Sequence, residues 1–153
     1  MTLADFDAVI SFWRQMEGIS LNESDERGPM ERYLARNPGM SQTARDPAGR
    51  IIGAVLCGHD GRRGYLHHLA VAPGYRRQGL GTALVERCLA QLADAGIPKC
   101  NIFLFEGNTE GRKFWLRLAY RPVAWGVLQR VRGSEKQQAF WFFFRWNSGG
   151  AQL

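Results

Sequence analysis

The sequence predicts an α/β domain built on a mixed, mainly antiparallel sheet that is flanked by helices. Three observations support this fold class. Three strand-like runs follow one another with only turns between them, and the third run covers residues 65–71. A loop rich in arginine and glycine then leads into an amphipathic helix. After that helix, residues 100–105 have the length and the apolar character of one more buried strand.

Two helices are indicated at the N-terminus. Thr2 and Asp5 have the spacing of a helix-capping box. A second helix is predicted for residues 30–36, because Pro29 suits the first helical position and residues 37–39 are helix breakers. The first helix is predicted to end at Gly18, after apolar residues that recur at helical spacing and form one face: Phe6, Val9, Ile10, Trp13 and Met16.

The middle of the chain predicts an antiparallel meander of three strands. The strands are expected at residues 41–45, 50–57 and 65–71, and the second of these is rich in Ile and Val. Residues 46–49 and 58–64 carry the Asp, Pro and Gly that turns favour.

The remaining elements alternate between helix and strand. A helix is predicted for residues 82–95, and a strand over 100–105 is expected to lie beside 65–71. The next helix begins at Asn108 and turns Phe114, Trp115 and Leu118 inward. An extended segment, 120–131, and an aromatic strand, 139–146, complete a single domain over residues 1–147, and residues 148–153 form a frayed tail.

Composition limits the classes of protein to which the chain can belong. Its 153 residues suit one domain, and no apolar run approaches the ~20 residues of a membrane helix. The three cysteines fit no metal or disulfide spacing, and the N-terminus lacks the features of a signal peptide, so we expect a cytoplasmic protein without a metal. The net charge of +6 suits an anionic partner. Without a basic tail or an aromatic RNA-binding motif, we expect that partner not to be a nucleic acid.

The loop after residue 71 has the properties of a phosphate-binding site. Its spacing is Arg76-x-x-Gly79-x-Gly81, and a helix follows directly. Glycines let the backbone approach a ligand closely, and the free N–H groups of a helix N-terminus favour an anion. A dinucleotide fingerprint would need a small residue where Leu84 stands, and a Walker loop would need Lys and Ser or Thr where Leu80 and Gly81 stand.

The segment Arg76-Arg77-Gln78-Gly79-Leu80-Gly81, after Leu69-Ala70-Val71 and Pro73, resembles the acetyl-CoA pyrophosphate loop of the GNAT superfamily of N-acetyltransferases. The resemblance extends over residues 2–131 and is strongest to small bacterial single-domain members. The family has a strand before its first helix, whereas this sequence begins at the helix cap, so either that strand was never translated or cloned or the protein does without it. A sheet edge left exposed in this way favours pairing with a second copy, so we expect a possible homodimer.

The resemblance implies how acetyl-CoA binds. The strands at 65–71 and 100–105 would splay apart and hold the pantetheine arm, and the backbone N–H of Val71 would polarise the thioester carbonyl. The residues that the resemblance assigns to acetyl-CoA are Leu69, Ala70, Val71, Arg76, Arg77, Gln78, Gly79, Leu80, Gly81, Thr82, Asn108 and Trp115.

The implied reaction is direct attack of a primary amine, in a small molecule or a peptide, on acetyl-CoA. Glu106 is the first candidate for the base that neutralises the ammonium group, and His67 or His68 is the next. Neighbours on a strand point to opposite faces, so at most one of these histidines is expected to face the cleft. Trp115 stands where the family has a tyrosine that protonates the leaving thiolate, and indole does not titrate usefully.

Two further alternatives concern the acceptor and the activity. The acidic side chains of Asp25, Glu26 and Glu31 either attract a cationic amine or are merely solvated. Because of the tryptophan and the missing strand, the alternative function is an acyl-CoA-binding sensor or interaction module with little turnover.

Overall fold

The computed structural model describes residues 1–124, of which Met1–Arg121 form a compact unit. The helices and strands are α1 (Phe6–Arg14), α2 (Arg27–Arg36), β1 (Gln42–Arg45), β2 (Ile51–His59), β3 (Gly64–Val71), α3 (Leu80–Asp94), β4 (Cys100–Ile102) and α4 (Thr109–Arg117). Short 3₁₀ turns lie at Leu3–Asp5, Glu23–Asp25 and Pro73–Tyr75. The single domain predicted for residues 1–147 stays a prediction, since the aromatic strand and the tail lie outside the described residues, as does most of the extended segment.

The described strands form one sheet in the order β1-β2-β3-β4. β1 pairs with β2, and β2 with β3, in antiparallel fashion, whereas β3 and β4 are parallel. The predicted meander and the mixed, mainly antiparallel sheet are therefore confirmed. Among the described residues no strand precedes α1, and β1 is an edge strand.

The sheet carries a separate layer of side chains on each face. One cluster joins β2 and β3 to α3 and α4, and the other joins them to α1 and α2. α3 packs close to the sheet at Gly64, where an added Cβ would lie 2.5 Å from Leu92 Cδ1. The inward residues of α1 are Val9, Ile10, Phe12 and Trp13, which confirms its predicted apolar face.

The ends of several elements differ from the predicted ones. The Asp5 carboxylate accepts the Thr2 backbone N–H at 2.8 Å, as a capping box requires, but α1 ends at Arg14 rather than at Gly18. α2 begins at Arg27 rather than at residue 30, and α3 begins at Leu80 rather than at residue 82. These ends differ by two to four residues, a range that local sequence patterns do not resolve.

The prediction of a buried strand over residues 100–105 was wrong in its second half. β4 ends at Ile102, the last residue that has a pairing partner on β3. Phe103 and Phe105 are 61% and 62% exposed. An apolar run indicates burial, but a strand extends only as far as a neighbour supplies hydrogen bonds.

Candidate active site

The parallel strands β3 and β4 are paired at one end only. Gly64 pairs with Cys100, Tyr65 with Asn101 and Leu66 with Ile102, after which β4 ends. β3 continues to Val71 with its other edge still paired to β2. The carboxyl-terminal half of β3 therefore has an open edge on the side of β4.

A β-bulge in β3 controls what this open edge presents. Ala54 lies opposite Ala70 and Leu56 opposite His67, so that Val55 faces two residues of β3. One of these, His68, has φ of +53°. An inserted residue reverses the alternation of a strand beyond it. Accordingly, three side chains of β3 pack in the α3-side cluster: Leu66, Leu69 and Val71. In a regular strand, Leu66 would lie on the opposite face from Leu69 and Val71.

The same reversal directs the backbone of Val71 toward the open edge. Ala72 donates its N–H to the Ile52 carbonyl at 2.8 Å, so the next pair, Gly53 and Val71, is not hydrogen-bonded to each other. The N–H and C=O of Val71 consequently point away from β2. The carbonyl accepts Arg76 Nε at 2.9 Å, and the N–H is directed into the opening.

The loop after β3 leads into α3, whose first turn has backbone N–H groups without hydrogen-bond partners in the helix. Gly79, with φ of +83°, is the N-cap and has no side chain with which to cap the helix. The first helical hydrogen bond runs from Ala83 N to Gly79 O at 2.9 Å, which leaves the amides of the first turn without helical partners. That turn contains no acidic residue, and an added Cβ on Gly79 would meet nothing within 4 Å. These features define an accessible anion site, and Arg76 and Arg77 are exposed beside it.

Gly81, in the first turn of α3, lies close to both β3 and α4. A Cβ added there would lie 3.4 Å from Phe114 Cε2 and 3.6 Å from Val71 Cγ2. The start of α3 is thus held between β3 and α4. Gln78 Nε2 donates to the Gly74 carbonyl at 3.1 Å and closes the loop on itself.

α4 begins at the side chain of Asn108, which accepts the Gly111 N–H at 2.8 Å. Trp115 is 9% exposed and packs in the α3-side cluster, with its ring 4.9 Å from that of Tyr120 and 5.1 Å from that of Phe114. Phe114 is the α4 side chain nearest to Gly81, since a Cβ added at Gly81 would lie 3.4 Å from Phe114 Cε2. The cofactor contacts expected of Asn108 and Trp115 stay predictions.

His67 and His68 do not point to opposite faces, and this expectation was wrong. Their ring centroids are 6.5 Å apart, and both rings contact residues of the α1–α2 side. The cause is the bulge, which interrupts the alternation between them. The ring centroid of His67 lies 6.4 Å from that of Tyr33 and 6.1 Å from that of Phe103, so that the three rings form an aromatic cluster. Burial, and then the charge of His68, lower the pKa of His67.

His68 pairs with Asp25, which lies in the connection between α1 and α2. Nε2 of His68 is 2.7 Å from Asp25 Oδ1, and the two side chains are 18% and 7% exposed. The other oxygen, Oδ2, accepts the Asn22 N–H at 2.9 Å. Burial alone would raise the pKa of Asp25, but the hydrogen bonds from His68 and Asn22 outweigh it and the pKa lies below its usual value. The interpretation of Asp25 as a solvated acid was therefore wrong.

The sequence reasoning missed this pair because its members are 43 positions apart. The one local signal was the spacing of Asn22 and Asp25, which form a capping box around the 3₁₀ turn. Glu106, by contrast, is exposed in the turn between β4 and α4, and it has no hydrogen-bond or ion-pair partner within residues 1–124. Its role as the base stays a prediction.

A groove of about 670 Å³ opens between α1 and the Asp25 turn. Its charged residues are Asp7, Arg14, Asp25, Glu26 and Arg27. Arg27 is paired with Asp7 at 2.8 Å. Over the part of the chain that the structure describes, no group of three potential metal ligands was found, and no helix has the length and apolarity needed to cross a membrane.

The parallel strand pair is open at its carboxyl end and lies next to an uncapped helix N-terminus, as the resemblance to N-acetyltransferases implies. The chain belongs to the acetyltransferase (GNAT) family, whose model matches residues 8–120. It is 32% identical over 119 residues to an acetyltransferase of Pectobacterium atrosepticum, covering 78% of this chain and 83% of that relative. The family resemblance is thereby confirmed.

Solved structures show the same fold at low sequence identity. A GNAT acetyltransferase from Staphylococcus aureus Mu50 aligns with a TM-score of 0.69 at 17% identity, over 82% of this chain and 84% of that one. AAC(6')-Iy, solved in complex with the bisubstrate analogue CoA-S-monomethyl-acetylneamine, aligns with a TM-score of 0.68 at 16% identity, over 87% and 95% of the two chains.

Proposed function

We propose that this acetyltransferase moves the acetyl group of acetyl-CoA directly to a primary amine while both substrates are bound. One observation carries the proposal: the Val71 N–H faces an open strand edge that leads, within one short loop, to the free amides of α3. A ligand with a diphosphate at one end and a thioester at the other suits this pair of features.

The diphosphate of acetyl-CoA is assigned to the anion site. The backbone N–H groups from Gln78 to Thr82 bind its oxygens, and Arg76 and Arg77 supply positive charge. Gly79 and Gly81 keep the turn clear of side chains. The pantetheine arm follows the open edge at Leu69, Ala70 and Val71, with contacts to Asn108 and Trp115 at α4.

The Val71 N–H is assigned to the thioester oxygen. A fixed donor aimed at the developing oxyanion is commonly the largest single contribution to catalysis of acyl transfer. The nitrogen of the amine bonds to the carbonyl carbon, the C–S bond breaks, and coenzyme A leaves as a thiolate. Since a thiol pKa is about 8.5, this group can leave without the acid that Trp115 cannot supply.

The acceptor is proposed to be the amine of a small molecule or a peptide. The bisubstrate analogue bound by AAC(6')-Iy supports an amine acceptor for this fold. Homodimer formation through the β1 edge remains a proposal and is tested by sedimentation equilibrium.

The test combines binding with turnover. Calorimetry with coenzyme A should show binding, and acetyl-CoA mixed with L-lysine, spermidine, a lysine-containing peptide or kanamycin should release free thiol. The absence of heat with coenzyme A would overturn the proposal. Binding without thiol release for any amine would favour a sensor of acyl-CoA, the second candidate, which the non-titrating Trp115 supports.

A further inference from the structure

We infer that His68, held by Asp25, is the general base that removes the proton from the acceptor ammonium group. This inference rests on the acetyl transfer proposed above and assigns to its acceptor side a pair of residues that lie on different elements. It replaces Glu106, the first candidate from the sequence, because Glu106 is exposed and unpaired within the described chain.

The position of His68 follows from the bulge. His68 lies three residues before Val71 on the same strand, at the inserted position where φ is +53°. A positive φ costs a non-glycine residue free energy and persists where the surroundings impose it. The bulge thus both turns the Val71 N–H into the opening and brings the His68 ring to the α1–α2 side, so that one distortion positions both groups.

The pairing with Asp25 determines which nitrogen of His68 can accept a proton. At 2.7 Å the buried carboxylate takes the N–H of Nε2, since an ionised carboxylate only accepts hydrogen bonds. Nδ1 then carries the free electron pair. Trp13, whose ring is 5.1 Å from that of His68, limits rotation of the imidazole. Asp25 is therefore a positioning residue that fixes the tautomer of the base.

The groove beside α1 gives a cationic amine access to the Asp25 side of this pair. Asp25 lines the groove together with Glu26 and Asp7, and the His68 side chain retains 18% of its exposure. Arg27 pairs with Asp7, which leaves Asp25 and Glu26 against Arg14. This small excess of negative charge favours an ammonium group over a neutral ligand.

The proton balance of the reaction is complete with this base. Neutral His68 takes one proton from R–NH₃⁺ at Nδ1, the amine attacks the thioester carbon, and the C–S bond breaks. The second proton lost by the nitrogen goes to the coenzyme A sulfur, and imidazolium returns its proton to water. The titratable groups that face His68 are Asp25, from the α1–α2 connection, and His67, from its own strand.

The experiment compares His68→Gln and Asp25→Asn with His59→Gln and Glu106→Gln. His59 is the matched control, because it is a histidine of β2 whose Nδ1 accepts the Gly61 N–H outside this site. Each variant is assayed for coenzyme A binding by calorimetry and for thiol release from acetyl-CoA with the most active amine of the four named above. ¹⁵N NMR of the imidazole nitrogens reports the tautomer of His68 directly.

We expect His68→Gln to lower kcat by about 10²- to 10⁴-fold at pH 7 and to leave coenzyme A binding unchanged. Its activity should rise with pH toward the amine pKa of about 10.4, where the free amine no longer needs a base. His59→Gln should retain full activity. NMR should show Nε2–H with unprotonated Nδ1 in the unsubstituted protein, and loss of that preference in Asp25→Asn.

Three results would overturn the inference: wild-type activity in His68→Gln, loss of activity in Glu106→Gln instead, or a His68 proton on Nδ1. Coenzyme A binding together with normal turnover in His68→Gln would remove the base assignment and leave the proposed function intact. An enzyme that transfers acetyl to none of the amines would contradict both.

Discussion

Replacing Arg76 by Gln should weaken coenzyme A binding without destabilising the fold. Arg76 is exposed, its Nε donates to the carbonyl of Val71 at 2.9 Å, and it lies three residues before the N-cap of α3 at Gly79. Loss of an exposed hydrogen bond of this kind usually changes the free energy of unfolding by no more than about 0.5 kcal/mol. The variant is therefore expected to fold normally.

The expected loss of affinity comes from the diphosphate. A hydrogen bond to a charged partner contributes about 1.5–3 kcal/mol, which corresponds to about 10- to 150-fold in Kd. The matched control is Arg87→Gln, which removes the same charge from an exposed position farther along α3. Arg87→Gln should change Kd little, because it is remote from the anion site.

Calorimetry with coenzyme A and with pantetheine, which lacks the phosphates, separates the contributions. Arg76→Gln should weaken coenzyme A and leave pantetheine unaffected, and the difference should shrink as ionic strength rises. Equal losses in Arg76→Gln and Arg87→Gln would show that only net charge matters. An unchanged Kd in Arg76→Gln would refute the assignment of the diphosphate to this turn.

Three further predictions concern stability. Gly64→Ala should lower the free energy of unfolding by about 1–3 kcal/mol, because the new Cβ would lie 2.5 Å from Leu92 Cδ1. Urea titration measures this change, and an unchanged urea midpoint would contradict the packing of α3 on β3. Stability should fall as the pH drops below about 6.5, because the pKa of His67 is lowered in the folded state and the unfolded chain therefore takes up this proton first. It should fall again below about pH 4, because the folded-state pKa of Asp25 is also lowered. Asp25→Asn should flatten the lower part of that pH profile in urea midpoints, and a profile unaltered below pH 4 would count against the pair. Trp115→Ala should lower the free energy of unfolding by about 3–5 kcal/mol, measured by thermal unfolding, because the ring is buried. The contact of Trp115 with acetyl-CoA is therefore tested with the milder variant Trp115→Phe, and an unchanged Kd for acetyl-CoA would argue against that contact.

The anion-binding features of the loop before α3 could be predicted because they depend on neighbouring residues only. The glycines, the arginines and the start of α3 lie within a few positions of each other, and a helix N-terminus has free amides wherever the helix occurs. The meander was equally accessible, since each strand has its own apolar run and each turn its own Gly, Pro or Asp.

The pairing of His68 with Asp25 could not be predicted, because it depends on the register of β3. Periodicity assigned His67 and His68 to opposite faces, and only cross-strand pairing shows the bulge that brings them together. The end of β4 at Ile102 likewise depends on tertiary structure, because β4 is paired with β3 only as far as Leu66 although β3 continues to Val71.

The sequence alone therefore determined the family of the protein, its fold class and the position of the glycine- and arginine-rich loop before α3, since each is encoded in short contiguous patterns. Tertiary structure decided which way the Val71 amide points and that Asp25 meets His68 across 43 positions. The physical reason is that one inserted residue reverses the face to which the following side chains point and the edge to which the following N–H and C=O groups point. A residue counts as inserted only in relation to the strand that pairs with it, so the sequence of one strand does not reveal it.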